Sequence, residues 1–344
     1  MGWSGDPHYT EVYKLLMLVR KFLQTGNLKI HAQLQHMDQV GTVRKINQLI
    51  AEVVKSLHAL EGHNFNEQFL KRMSLEMFVA VMAALKAGKI AMHYFRSDKL
   101  QVSWKGEDDP LTIADTKAED AILKTVHAYF PYHEFLGEET GVHDKHSSFK
   151  WVVDPIDGTN NYRQGIPDFG VSIALLKGDT PVLGVIFDPV HDDLYLAQAG
   201  KGAYLNYKPV HGPRYKGVSN LFIWGIRNKD EPWKSGLLEV LSVLPKHRME
   251  DKNNTTIGMT DVIAGKADMT IKLSVKAWDV VAGDIIAREA GMGVTDCFGN
   301  VLKYDIHHVR NYNGFIMCNQ KANREIMELI SKKRQQIDGL QQVA

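Results

Sequence analysis

The run Trp151-Val152-Val153-Asp154-Pro155-Ile156-Asp157-Gly158-Thr159 constrains this chain more than any other segment. Its apolar opening is that of a buried strand, and it passes directly into two carboxylates, a proline and a glycine. Pro155 fixes φ and removes a donor, while Gly158 permits a tight turn. Asp154 and Asp157 then stand at the edge of a sheet, where both can point towards one spot. A surface Asx-Pro turn is the plain alternative, and the hexapeptide by itself leaves both readings open.

The same arrangement recurs. His133-Glu134-Phe135-Leu136 reads as a strand and runs into Gly137-Glu138-Glu139. Trp278-Asp279 opens a helical pattern with small faces at Ala282, Gly283, Ala290 and Gly291, and Asp115 heads a helix expected to start near Thr112. Taken singly, a Glu pair is an ordinary solvated loop and an Asp at a helix start is an ordinary N-cap. Taken together they are costly, because two unit charges about 4 Å apart repel by roughly 4 kcal/mol at an effective dielectric of 20. Converging carboxylates therefore need protons or cations. A donor set of oxygens without His or Cys suits a hard cation, Mg²⁺ first.

Around these segments the chain divides into three. Residues 1–72 carry two amphipathic patterns, Val12 to Leu23 and Ile46 to Leu60, separated by a polar Gln- and His-containing stretch. Helical spacing without a recognisable site predicts an extension that packs on the body or on a second subunit. Residues 73–206 predict an α+β subdomain: a helix from Met73 to about Phe95, the helix after Thr112, then strands at VSIALL, PVLGVIF and DLYLAQ with turns at Gly178-Asp179 and Asp188-Pro189. Residues 207–344 predict an α/β subdomain, with strands at FIWGI and ADMTIKL and helices near 235–243, up to Ala264-Gly265, from about Trp278 to Ala290, and from near Gln320. Helices, then an antiparallel sheet, then an α/β section imply a layered α+β sandwich and not a Rossmann fold.

Composition narrows the partners. With 41 basic and 40 acidic side chains, the chain has no global attraction to nucleic acid polymers or anionic membranes, so an anionic substrate must be drawn in locally. Cys297 and Cys318 form neither a disulfide framework nor a CxxC site. No apolar run reaches the roughly 18 residues that span a bilayer. The opening MGWSGD has no signal-peptide core and lacks the Ser or Thr of a myristoylation signal. A cytoplasmic protein is the expectation.

Over roughly residues 74–330 the chain resembles the inositol monophosphatase family of metal-dependent phosphatases, which is itself similar to fructose-1,6-bisphosphatases and 3′(2′),5′-bisphosphate nucleotidases. The resemblance is carried, in order, by DDPLTIADTKAED, FPYHEFLGEET, WVVDPIDGTNNY with GIPDFGVSIALL, AGKAD, and WDVVAGDIIAREAG. It implies the α-β-α-β-α sandwich of the sugar-phosphatase type, a homodimer, and a small phosphorylated substrate. It also implies that Glu138, Asp154, Asp157, Asp279 and the carbonyl of Ile156 bind two or three Mg²⁺ ions. Thr159, oriented by Asp115, would position the attacking water, and the N–H groups of Gly158 and Thr159 would hold phosphate oxygens. Glu138 would thus serve the catalytic centre as well as the metal.

Three positions depart from the family pattern. Lys272 stands where a glutamate contacts inositol hydroxyls, and an ammonium cannot accept those hydrogen bonds; it would instead pair with a second anionic group on the substrate, or stand as a solvated strand lysine. Asn253-Asn254-Thr255-Thr256 replaces a smaller segment and reads as an altered substrate wall. Val281 and Met292 read as packing adjustments. The leading expectation is Mg²⁺-dependent hydrolysis of an inositol monophosphate-like ester by water. Histidinol-phosphate, fructose-1,6-bisphosphate or bisphosphate-nucleotide phosphatase are its alternatives within the enzyme class. A degenerate relative used as a binding subunit is the alternative outside it.

Overall fold

The computed structural model of the protein describes residues 73–106, 109–219, 221–225, 244–251, 254–272, 275–311 and 313–341. The expected helical extension over 1–72, the helix expected near 235–243 and Asn253 lie outside the described residues. In chain order the elements are α1 (Leu75–Tyr94), β1 (Val102–Gly106), β2 (Asp109–Thr112), α2 (Ile113–Tyr129), β3 (Glu134–Gly137), β4 (Gly141–His143), β5 (Phe149–Asp157), α3 (Thr159–Arg163), β6 (Gly170–Lys177), β7 (Thr180–Asp188), β8 (Asp193–Gln198), β9 (Ala203–Leu205) and β10 (Lys208–Val210). They continue as β11 (Leu221–Gly225), β12 (His247–Asp251), α4 (Thr255–Ile263), β13 (Met269–Lys272), β14 (Val275–Lys276), α5 (Ala277–Glu289), β15 (Met292–Thr295), β16 (Arg310–Asn311), β17 (Phe315–Asn319) and α6 (Gln320–Gln341).

Two sheets carry the architecture. The larger has eight strands in the order β10-β9-β8-β7-β6-β5-β3-β4, antiparallel except for the parallel pair β3 and β5. The smaller has five, in the order β12-β11-β13-β17-β15, with β11 parallel to both β12 and β13. Helices α1 and α2 pack on one face of the large sheet, α4 and α5 lie between the two sheets, and α6 packs on β15 and β17. This is the layered α+β sandwich that the order of elements predicts, with the α-β-α-β-α layering that the family resemblance implies.

The central layer explains the composition of α5. Val280, Val281, Ala282, Ile285, Ile286 and Ala287 are buried and join the core formed with both sheets. A helix that is apolar on nearly every side belongs between layers, and its small residues let the sheets close in. On the strand side Gly184 does the same: a Cβ there would sit 2.5 Å from Ile285 Cγ2 and 2.6 Å from the carbonyl oxygen of Ala282. The second obstacle is backbone and cannot rotate away.

The expected strands VSIALL, PVLGVIF and DLYLAQ are β6, β7 and β8, and the helix expected near Thr112 starts with Thr112 as its N-cap. The strands β1, β2, β4, β9, β10, β12, β14, β15, β16 and β17 are additional to those the sequence pattern predicts. Among the described residues no helix is long and apolar enough to cross a membrane.

Gly184→Ala is expected to cost about 1–3 kcal/mol through overpacking of α5 on β7. It should lower the urea midpoint of unfolding at unchanged slope. An unchanged midpoint would show that the two layers can separate freely at this point.

Candidate metal centre

Strand β5 does not end cleanly at its acids. Asp154 faces Ser172 of β6, whereas Asp157 faces Gly170, so three steps on β5 are matched by two on its partner. The extra residue is a bulge at Pro155-Ile156, where proline supplies no ladder donor. Its consequence is geometric. Residues three apart on a regular strand point to opposite faces, and a one-residue bulge returns them to the same face. Asp154 Oδ1 accepts the N–H of Ile156 at 3.0 Å, which tightens the bulge.

Asp279 arrives from the other side. It is the third residue of α5 and accepts the N–H of Lys276 at 3.2 Å, closing the helix start from within. It is therefore not the N-cap that its position suggests. Ser172 Oγ donates to the carbonyl of Trp278 at 2.9 Å and fixes this end of α5 against β6. As a result, oxygens of Asp154, Asp157 and Asp279 lie within 4.8 Å of one another, the only group of metal-ligating side chains this close among the described residues.

Glu138 stands beside this trio and not within it. Its N–H donates to the carbonyl of Val153 at 3.1 Å, which aligns it with β5. Its carboxylate meets Lys105 Nζ at 3.2 Å and Lys276 Nζ at 3.7 Å. Lys105, projecting from the β1–β2 hairpin, also bonds Glu139 at 3.0 Å.

The electrostatics are those of excess negative charge. Burial, then Glu138, Asp157 and Asp279, push the Asp154 carboxyl well above its ordinary range. Burial also raises Asp157, against the pull of Lys272 and of the Thr256 N–H. Asp279 is pushed up to about 7 by burial, Asp157 and Glu138, and Glu139 to about 7 by burial and Glu138. A proton-hungry cluster of oxygens without a soft ligand fits a hard divalent cation.

Asp115 and Thr159 are joined by a hydrogen bond, as expected. Thr159 Oγ1 lies 3.3 Å from Asp115 Oδ1 and 3.0 Å from the carbonyl of Ile156, and it can donate to one of the two at a time. Asp115 is fully buried and caps α2 with its other oxygen, accepting the N–H of Thr112 at 2.9 Å. Burial holds its carboxyl up at about 6. Gly158, with φ 92°, turns the strand into α3, so Thr159 and the residue after it begin a helix whose first N–H groups have no partner within the helix and no side-chain cap.

Lys272 ends the described part of β13 opposite Phe315, and its ammonium opposes protonation of both Asp157 and Asp279. The segment expected to form a substrate wall does something else. Asn254 and Thr256 are fully buried. Asn254 caps α4 by accepting the N–H of Ile257 at 2.9 Å, while its Nδ2 donates to the carbonyls of Asp157 at 2.9 Å and Asp168 at 3.2 Å. The N–H of Thr256 donates to Asp157 Oδ2 at 2.5 Å. These two residues brace an acid of the cluster, and their side chains are turned into the core. Their polarity is legible in the sequence; the direction in which it faces is not.

The α-β-α-β-α sandwich, with acids at and just after the carboxyl ends of the neighbouring strands β3 and β5, is of the sugar-phosphatase type. The chain belongs to the inositol monophosphatase family, whose model matches residues 73–338. An inositol-1-monophosphatase from Mesorhizobium japonicum is 34% identical over 260 residues, covering 74% of this chain and 95% of that one. A protein called Nus factor SuhB from Pasteurella multocida is 35% identical over 231 residues, covering 64% and 85%. The crystal structure of the extragenic suppressor protein suhB from Bartonella henselae superposes with a TM-score of 0.66 at 31% identity, covering 75% of this chain and 99% of that one.

The raised carboxyls fix a pH dependence. In the folded state Asp115, Glu139 and Asp279 hold protons up to about 6, 7 and 7, against ordinary values of 3.8, 4.5 and 3.8. Between those values the folded state binds more protons than the unfolded one, so stability falls as pH rises. In EDTA the thermal midpoint should drop from pH 6 to pH 8. Added Mg²⁺ should raise the midpoint more at pH 8 than at pH 6, because its ligands must be deprotonated. A metal-free midpoint that climbs over this interval would contradict the assignment.

Proposed function

We propose that this chain is a Mg²⁺-dependent phosphomonoesterase for a small phosphorylated polyol or sugar, with inositol 1-phosphate the default substrate and water the nucleophile. The observation that carries the reading is the convergence of Asp154, Asp157 and Asp279 within 4.8 Å, with Glu138 beside them and Thr159 paired to Asp115 at 3.3 Å. Glu138, Asp154, Asp157, Asp279 and the carbonyl of Ile156 would hold the ions. Bound Mg²⁺ would neutralise the phosphate and lower the pKa of the attacking water.

The remaining work falls to the chain's own groups. Gly158 and Thr159 offer backbone N–H groups to the phosphate oxygens at the start of α3. Thr159 orients the water, and Asp115, when ionised, accepts the Thr159 proton so that the hydroxyl oxygen's lone pairs face the water. Lys272, in electrostatic reach of Asp157 and Asp279, places positive charge where a second anionic group of the substrate would lie. That favours a bisphosphate or another substrate with a second anionic group among the alternatives. The binding-subunit alternative is disfavoured because no expected acid is missing. Free, buried Cys297 and Cys318 agree with a reducing cytoplasm, and the family resemblance supports a homodimer.

Phosphate release from inositol 1-phosphate or fructose 1,6-bisphosphate should require Mg²⁺ in the millimolar range, an order-of-magnitude figure for a partly hydrated ion. Asp279→Asn should abolish turnover while circular dichroism stays unchanged. Full activity in EDTA would rule the mechanism out.

Lys272→Glu should move the ratio of kcat/KM towards inositol 1-phosphate and away from bisphosphates by about 10–150-fold, the equivalent of a hydrogen bond to a charged group. A change below about threefold would make Lys272 a solvated strand residue.

A further inference from the structure

Glu119 lies on α2, is fully buried, and takes no part in the acidic trio. A carboxylate in that position needs partners, because burying one unpaired is far costlier than burying an apolar side chain. It finds two N–H donors in the segment that carries Glu138, and the Thr140 side chain bonds it as well. The N–H of Glu139 donates to Oε2 at 2.9 Å and the N–H of Thr140 donates to Oε1 at 2.7 Å. With the Glu138 N–H held by the Val153 carbonyl at 3.1 Å, successive peptide groups from 138 to 140 are pinned, one by β5 and two by Glu119.

The residue before them completes the arrangement. A Cβ on Gly137 would sit 2.3 Å from Glu119 Oε1 and 2.7 Å from Oε2. Glycine at 137 thus vacates the volume that the carboxylate fills. Neither residue works without the other: a side chain at 137 evicts the carboxylate, and loss of the carboxylate frees two N–H groups beside a ligand candidate.

We infer that Glu119 is a positioning residue for Glu138, clamping the turn after β3 so that the Glu138 carboxylate is held towards Asp154 and Asp279. This rests on the reading of Glu138 as a metal ligand. With the clamp in place the Glu138 carboxylate meets Lys105 at 3.2 Å and Lys276 at 3.7 Å; without it, the turn that carries that carboxylate loses two of its three backbone anchors. Charge-assisted N–H bonds to a carboxylate are among the stronger ones in proteins, and a pair of them fixes direction as well as distance. The role matches that of outer-shell carboxylates elsewhere, which orient ligands without touching the ion.

The test uses Mn²⁺ as probe, titrated calorimetrically into the full chain without substrate. Glu119→Gln keeps the shape and one acceptor oxygen but turns an NH₂ towards one of the two N–H groups. Gly137→Ala attacks the same contact from the other side. Each should weaken Mn²⁺ binding by about 10–100-fold, the usual effect of losing an outer-shell partner; Gly137→Ala, which overpacks a buried contact, should also lower the thermal midpoint in EDTA, whereas Glu119→Gln keeps the shape and should lower it less. Affinities within about threefold of the parent, against that range, would overturn the inference and leave Glu119 a purely structural acid. Hydrogen exchange on the unsubstituted protein decides independently of any variant's folding: the Glu139 and Thr140 amides should be protected despite lying in a surface turn, and exchange at open-turn rates would overturn the clamp. A parent chain that binds no Mn²⁺ would sink the metal reading itself, and the exchange measurement would still decide whether Glu119 holds the turn.

Discussion

The rest of the structure depends on the mutual repulsion of carboxylates gathered at the end of β5. Asp154 and Asp157 are buried and share their surroundings with Asp279; Asp157 and Asp279 raise the proton affinity of Asp154, and Asp157 raises that of Asp279. Such a cluster does not persist unless the backbone around it leaves no alternative. The fold meets that requirement with interlocked constraints on every member: an Asx bond to Ile156 for Asp154, the N–H of Thr256 for Asp157, the first turn of α5 for Asp279. Each bond stabilises the ionised form of one acid, and together they oppose the repulsion without removing it. The residual charge is what fits the cluster to a cation.

Location in the sandwich is set by the same constraint. Asp154 and Asp157 come from the large sheet, Asp279 and the α4 N-terminus from the layer between sheets, and Lys272 from the small sheet. No single layer could bring these groups to one point, because a strand presents alternate residues and a helix presents one face. The bulge at Pro155-Ile156 turns two strand residues to one side, and the close approach of α5 to β7 at Gly184 brings the third within reach.

Much of this is legible in residues 73–344. The acids stand out because each follows an apolar strand or opens a helix, and the three central strands of the large sheet alternate long apolar runs with turn residues. The features that escape the sequence do so for physical reasons. β15 and β17 are short, four and five residues, and their partners are remote in sequence, so local pattern carries little of the signal. The bulge is invisible because it is a property of pairing with β6. Asn254 is ambiguous because the same amide serves a wall or a brace equally well, and only its full burial against Asp157 and Asp168 tells them apart. Glu119 is hidden for the opposite reason: in the DTKAED run it looks like an exposed helical acid, and its burial depends on a glycine in a different element.

The surrounding cations complete the logic of the site. Lys105 and Lys276 lie against Glu138, the ammonium of Lys276 sits 5.0 Å above the Trp278 ring, and Lys272 lowers the proton affinity of Asp157 and Asp279. Three lysines from three elements thus supply part of the charge balance in a protein whose net charge is +1 overall. An ammonium and a divalent ion compete for the same oxygens, so each lysine contact weakens metal binding by the work of breaking it. The two kinds of cation differ in their freedom to move on. An ammonium on a flexible stem can exchange one anionic partner for another at little net electrostatic cost, so the lysine contacts to Glu138 balance its charge without fixing its partner.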